Sequence, residues 1–92
     1  MATNPKAGQV TVTTAGTAVQ GTAVVGHLFS ICAHPDNTDS VWIGNTTNDV
    51  TNLIGYPLIA GGGNIVVEIG NLNLFWFDAN VSGEKVCWIQ LD

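Results

Sequence analysis

The chain has 92 residues, 46% of them hydrophobic and 10% charged, and two basic side chains against seven carboxylates give a formal charge of -5. This length supports one hydrophobic core and no second independent unit. The acidity argues against nucleic acid or an anionic membrane surface as a partner, because both would be repelled rather than neutralised.

An ordinary soluble domain carries roughly 25% charged residues, so Thr, Asn and Gly must cover much of this surface. Those residues suit β-edges and turns better than exposed helix faces, and helix is disfavoured from the outset. No apolar run approaches the roughly 18 residues that would span a bilayer, and residues 1–8 lack the apolar stretch of a secretory signal. The expected product is soluble and cytoplasmic, with Cys32 and Cys87 as buried thiols rather than a disulfide.

Residues 1–8, which include Thr3, Asn4, Pro5 and Lys6, are too polar to order themselves by burial. They read as a flexible arm able to dock on a neighbour, ahead of a domain spanning residues 9–92. Residues 9–15 set Val10 and Val12 against Thr11 and Thr13, the period of two of a strand with one buried face. Glycines at 16, 21 and 26 then interrupt short strands or one bent strand.

Residues 28–33 place Phe29, Ile31 and Ala33 on one side, the expected core face. After a polar break rich in turn formers (Pro35, Asp36, Asn37, Asp39), Val41 and Ile43 share a face and Trp42 points away, so residues 28–45 read as a hairpin. Residues 45–52 are polar and turn-rich. Pro57 demotes residues 53–60 to an edge strand or a covering loop, and three glycines at 61–63 make a turn into a strand carrying Ile65, Val67 and Ile69 on one face.

Residues 72–79 and 84–91 read as two closing strands joined by a turn at Asn80, Ser82 and Gly83. Leu72, Leu74 and Trp76 would lie opposite Phe75 and Phe77, and Val86 and Trp88 opposite Cys87, Ile89 and Leu91. Both faces of both strands are therefore apolar, unlike a sheet with one wet face. One face fills a sandwich; the other needs a cover. A loop at residues 45–63 could fold over it, but self-association is the preferred answer, with Trp42, Phe75, Trp76, Phe77 and Trp88 as the contact residues. The fold class is all-β: a compact antiparallel sandwich of about eight short strands, with a jelly roll among the arrangements that fit and the strand order open.

Catalytic chemistry finds little support. His34 with Asp36 and Asp39 matches no zinc or calcium spacing, and turn capping explains these residues better. Cys32 and His34 lie two apart on a strand, pointing in parallel rather than at each other, which disfavours a nucleophile and base pair. Asp49, Glu68, Asp78 and Glu84 read as solvated surface, with no reason to place two of them in one cleft. No cofactor, metal or catalytic residue is expected, and the chain reads as a non-enzyme.

The segments TAVQ, SICAHPDNTDSVWIGN and IAGGGNIVVEIGNLNLFWFDANVSGEKVCWIQ resemble a group of small tailed-bacteriophage virion proteins. The shared pattern is a strand, a Pro-Asn-Thr loop, a V-aromatic-I-G strand, a glycine-rich turn and a closing pair. The resemblance implies that Pro35, Asn37 and Thr38 form the first loop and that Asn71, Leu72, Ala79, Gly83 and Val86 frame a closing hairpin. It further implies a capsid decoration (cement) protein on the virion surface, a trimeric β-sandwich partnered by itself and by the major capsid protein. A small tail, spike or head-fibre module that binds a host glycan or receptor is the alternative.

Overall fold

Alternation of inward apolar and outward polar side chains builds the strands. The computed structural model describes residues 4–52 and 54–92. Its strands are β1 (Ala7–Val12), β2 (Val19–Gln20), β3 (Leu28–Ala33), β4 (Val41–Gly44), β5 (Tyr56–Leu58), β6 (Asn64–Glu68), β7 (Trp76–Ala79) and β8 (Glu84–Gln90). They form two four-stranded sheets, the first ordered β1-β8-β3-β6 and the second β2-β7-β4-β5.

All pairs are antiparallel, and β1 with β8, β2 with β7, β3 with β6 and β4 with β5 are the pairs of one long ribbon folded at its middle. Rolling that ribbon adds β3 to β8 and β4 to β7. This is jelly-roll connectivity. The all-β sandwich expected from the strand periodicities is what the chain forms.

The expected hairpins do not form. β3 and β4 belong to different sheets, as do β7 and β8, so residues 34–40 and residues 80–83 are arches between layers. A polar break between two apolar runs shows that the chain turns; it does not show whether the second run pairs with the first or crosses to the facing layer. In the first arch, His34 N–H donates to Lys85 O (3.1 Å), and Asn37 then replaces a peptide group in the ladder. Its Nδ2 donates to Lys85 O (2.8 Å) and its Oδ1 accepts from Lys85 N (2.9 Å).

The core lies between the sheets, where Val10 and Val12 of β1, Phe29 and Ile31 of β3, and Val86 and Trp88 of β8 face Val41, Ile43 and Phe77 of the second sheet. Phe29 and Trp88 meet edge to face, with ring centroids 6.4 Å apart and planes at 71°, the arrangement that the aromatic quadrupole favours. Leu72 is also fully buried. It belongs to a 3₁₀ turn, Leu72–Leu74, rather than to the long strand expected over residues 72–79, which is why Leu74 two positions on is exposed.

A short helix, α1 (Thr47–Thr51), occupies a stretch that reads as loop from composition. Thr46 caps it, its Oγ1 accepting from Asp49 N (3.1 Å), and Asp49 places an acidic group in the first turn, where the helix dipole favours it. α1 lies on β4 and β7. Only a glycine permits this approach at position 44, where a Cβ would come within 2.8 Å of Asp49 Cβ and 3.0 Å of Val50 Cγ1.

The boundary of the N-terminal arm also shifts. β1 starts at Ala7, and Gln90 N–H donates to Lys6 O (2.7 Å), so Ala7 and Gly8 are part of the sheet rather than of an arm ending at residue 8. Asn4, Pro5 and Lys6 are exposed, whereas Thr3 lies outside the described residues.

Candidate interaction surface

The five aromatic residues expected to form a contact surface separate into different environments. Phe77 is fully buried and Trp88 is 6% exposed, both inside the sandwich, so neither is available to a partner. Trp88 turns inward because its cross-strand partner is Gly8, which leaves room for the indole. Phe75 is half-buried and packs against the core. Trp42 and Trp76 alone point away from it.

Those two tryptophans sit on the outer face of the second sheet, where Trp42 is paired with Asp78 and Gly44 with Trp76. Both are half-buried, and Trp42 Nε1 donates to Asn80 Oδ1 (3.3 Å). α1 covers part of this face from within the chain, with Val50 fully buried. The segment after β4 thus supplies part of the cover, in line with the loop alternative over residues 45–63, and leaves Trp42 and Trp76 half-exposed.

The outer face of the first sheet is different. Strand register sets Ala7, Ile89, Ser30 and Val66 in one row across it and Gln9, Cys87, Cys32 and Asn64 in the next. No charged side chain stands in either row. Val66 is 60% exposed, Ile89 42% and Leu91 41%. At the same end of the sandwich Val25 is 77% exposed beside the bridge that it makes with Asn71. Together with half-buried Leu28 they cluster toward that end of the face, where Ser30 stands between Ile89 and Val66 and the exposed carboxylate of Glu68 lies across from Leu28.

Two carboxylates expected on the surface are inside. Asp78 is buried on the outer face of β7, its Oδ1 accepting from Gly16 N (2.9 Å) and Ala79 N (2.8 Å). Glu84 is buried at the opposite end of the molecule from Val25, where its Oε1 accepts from Thr38 N (2.7 Å), Thr38 Oγ1 (2.9 Å) and Asp39 N (3.0 Å). Glu84 holds the first arch shut. Asp78 was legible only as an acid inside the apolar run LNLFWFDA, a position where a solvated side chain is unexpected. His34 caps its own turn, Nδ1 accepting from Asp36 N (3.0 Å). Among the described residues no three His, Cys, Asp or Glu side chains converge on a point where a metal ion could bind. No family model, curated protein or solved structure matches the chain.

Proposed function

We propose that this chain is a non-enzymatic structural protein of a bacteriophage virion. In this reading it is a decoration protein that works as a homo-oligomer, a trimer for preference, on the outer surface of the head. It would bridge neighbouring major capsid subunits. The sequence resemblance suggests the setting, and jelly rolls are common among viral capsid domains, although the same fold also serves lectins and enzymes.

The observation that carries the contact role is the uncovered aliphatic band of Val25, Leu28, Val66, Ile89 and Leu91. Exposed aliphatic side chains gathered on one face in this way mark interaction sites in soluble proteins, here with Ser30 and Glu68 among them. A stable interface buries about 800 Å² on each partner, which is about a sixth of the 4855 Å² accessible surface here. Many identical weak contacts on a repeating shell then add through multivalency. Size-exclusion chromatography with light scattering at micromolar concentration tests the oligomer, and a clean monomer counts against it. An electron-microscopy map of the virion tests the location; density at the tail rather than on the head lattice overturns the decoration role.

The second reading, a tail, spike or head-fibre module that binds a host glycan, draws on Tyr56, which is 56% exposed on the edge strand β5 and could stack on a sugar face. Specific hits on a glycan array, lost in Tyr56→Ala, would favour it.

A further inference from the structure

The two cysteines of the chain are register partners. Cys32 on β3 stands directly across from Cys87 on β8, and both half-buried side chains leave the outer face of the first sheet, since their neighbours Ile31, Ala33, Val86 and Trp88 point into the core. We propose that this pair is a modification site, a dithiol that low-molecular-weight disulfides oxidise reversibly to a cross-strand disulfide.

The ladder sets the spacing. His34 N–H donates to Lys85 O two residues to one side, and Leu91 N–H donates to Leu28 O four residues to the other. Hydrogen-bonded pairs recur every second residue, so Cys32 and Cys87 are such a pair, with Cα atoms about 5.5 Å apart. That lies within the range of about 4.4–6.8 Å found across disulfides. The Cβ atoms of such a pair start about 5.5 Å apart, against the roughly 3.5–4.5 Å that a disulfide needs. Closure must draw them together by about 1–2 Å, and a bond strained in this way is readily reduced. The pair can close without unfolding the sheet, and it can be opened again.

Access is unequal. Cys32 lines two hollows, one of ≈ 270 Å³ with Pro35, Gly61, Gly62, Gly63 and Asn64, and one of ≈ 170 Å³ with Ser30, Cys87, Trp88 and Ile89. Cys87 lines only the second. The glycine-lined hollow lies on the side of the pair away from the aliphatic band, so the chemistry does not depend on that band being free. Burial and the adjacent Cys32 push the Cys87 thiol above its ordinary pKa, which suits a group that acts second.

In the first step the Cys32 thiolate, having given up its proton to solvent, attacks one sulfur of the reagent. The reagent's S–S bond breaks, and one small thiol leaves as a mixed disulfide forms on Cys32. The Cys87 thiolate, formed by loss of its own proton, then attacks the Cys32 sulfur and expels the second small thiol. Two protein thiols are oxidised by two electrons, and one reagent disulfide is reduced to two thiols.

The test is incubation of the reduced, folded protein with oxidised glutathione, followed by intact-mass and peptide mapping without reductant. Both thiols should be lost together, with the mass lower by about 2 Da, a linked Cys32 to Cys87 peptide, and full reversal by a dithiol reductant. Cys87→Ser should trap a glutathione adduct on Cys32. Wild-type protein that accumulates stable glutathione adducts, forms disulfides only between chains, or keeps both thiols overturns the proposal. Circular dichroism of Cys87→Ser confirms that the variant tested is folded.

Discussion

Gly8 and Trp88 are cross-strand partners in which the absence of one side chain makes room for the other: a Cβ at position 8 would lie 2.8 Å from Trp88 Cζ2 and 3.1 Å from Cε2. The indole fills the space above the glycine on β1 and meets Phe29 of β3, on the other side of β8, edge to face. This relationship turns the largest side chain of the closing strand from an expected contact residue into a core residue.

Gly8→Val should therefore destabilise the protein by about 1–3 kcal/mol, the usual cost of overpacking, although valine is the better strand former. Trp88→Ala should cost about 3–5 kcal/mol. Trp88→Phe should cost much less than Trp88→Ala, because phenylalanine keeps much of the buried ring volume and gives up only an Nε1 that has no hydrogen-bond partner among the described residues. Urea unfolding of the three variants checks the order, and a neutral or stabilising Gly8→Val refutes the packing account.

The first arch supplies a second prediction. Asn37 needs both an acceptor and a donor to pair with the Lys85 backbone, so Asn37→Asp should be no better tolerated than Asn37→Ala: its carboxylate can accept from Lys85 N but only repel Lys85 O. Glu84→Ala removes three hydrogen bonds and should cost more than the about 0.5–1.5 kcal/mol of a single one. Amide exchange at Thr38 and Asp39 should quicken in Glu84→Ala, and unchanged protection there would mean that the arch is held by something else.

If the aliphatic band carries self-association, Ile89→Lys and Val66→Lys should shift the protein toward a monomer in light scattering while moving the urea midpoint little. Both side chains stand on the solvent face of the first sheet, where surface substitutions usually change stability by less than about 0.5 kcal/mol. Trp88 and Phe77 variants should instead lose stability first. An oligomer that survives both lysine substitutions would place the contact elsewhere, with Trp42 and Trp76 as the next candidates.

The raised pKa of Cys87, caused first by burial and then by Cys32 beside it, has a consequence for pH. The folded state holds that proton more tightly than the unfolded chain does. Stability from this source is unaffected below the unfolded thiol pKa, and falls as pH climbs from that value toward the higher folded one. Alkylation of Cys87 by iodoacetamide should be slow at neutral pH and accelerate in the alkaline range. In a Cys32→Ser background the acceleration should begin at lower pH, because one of the causes is gone. Mass mapping of timed samples reads both effects.

Much of the local structure was legible beforehand. The alternation in residues 9–15, 28–33 and 41–44 placed Val10, Val12, Phe29, Ile31, Val41 and Ile43 on the core side, where they are. α1 was missed because polar composition outweighed a capping signal that was present, Thr46 followed three residues later by Asp49. The core aromatic Phe77 and the buried Asp78 were misjudged for a related reason: side-chain parity says which residues share a face, but not which face lies inside.

The period-two pattern, the turn residues and the shortage of charge were enough to determine an all-β sandwich with one core, because each depends only on neighbours along the chain. Which strand lies beside which, the inward turn of Trp88 over Gly8, the burial of Glu84 under the first arch and the meeting of Cys32 with Cys87 were decided by tertiary structure. Each joins residues far apart in sequence, and a local pattern cannot specify the partner that rolling the ribbon into two layers brings alongside.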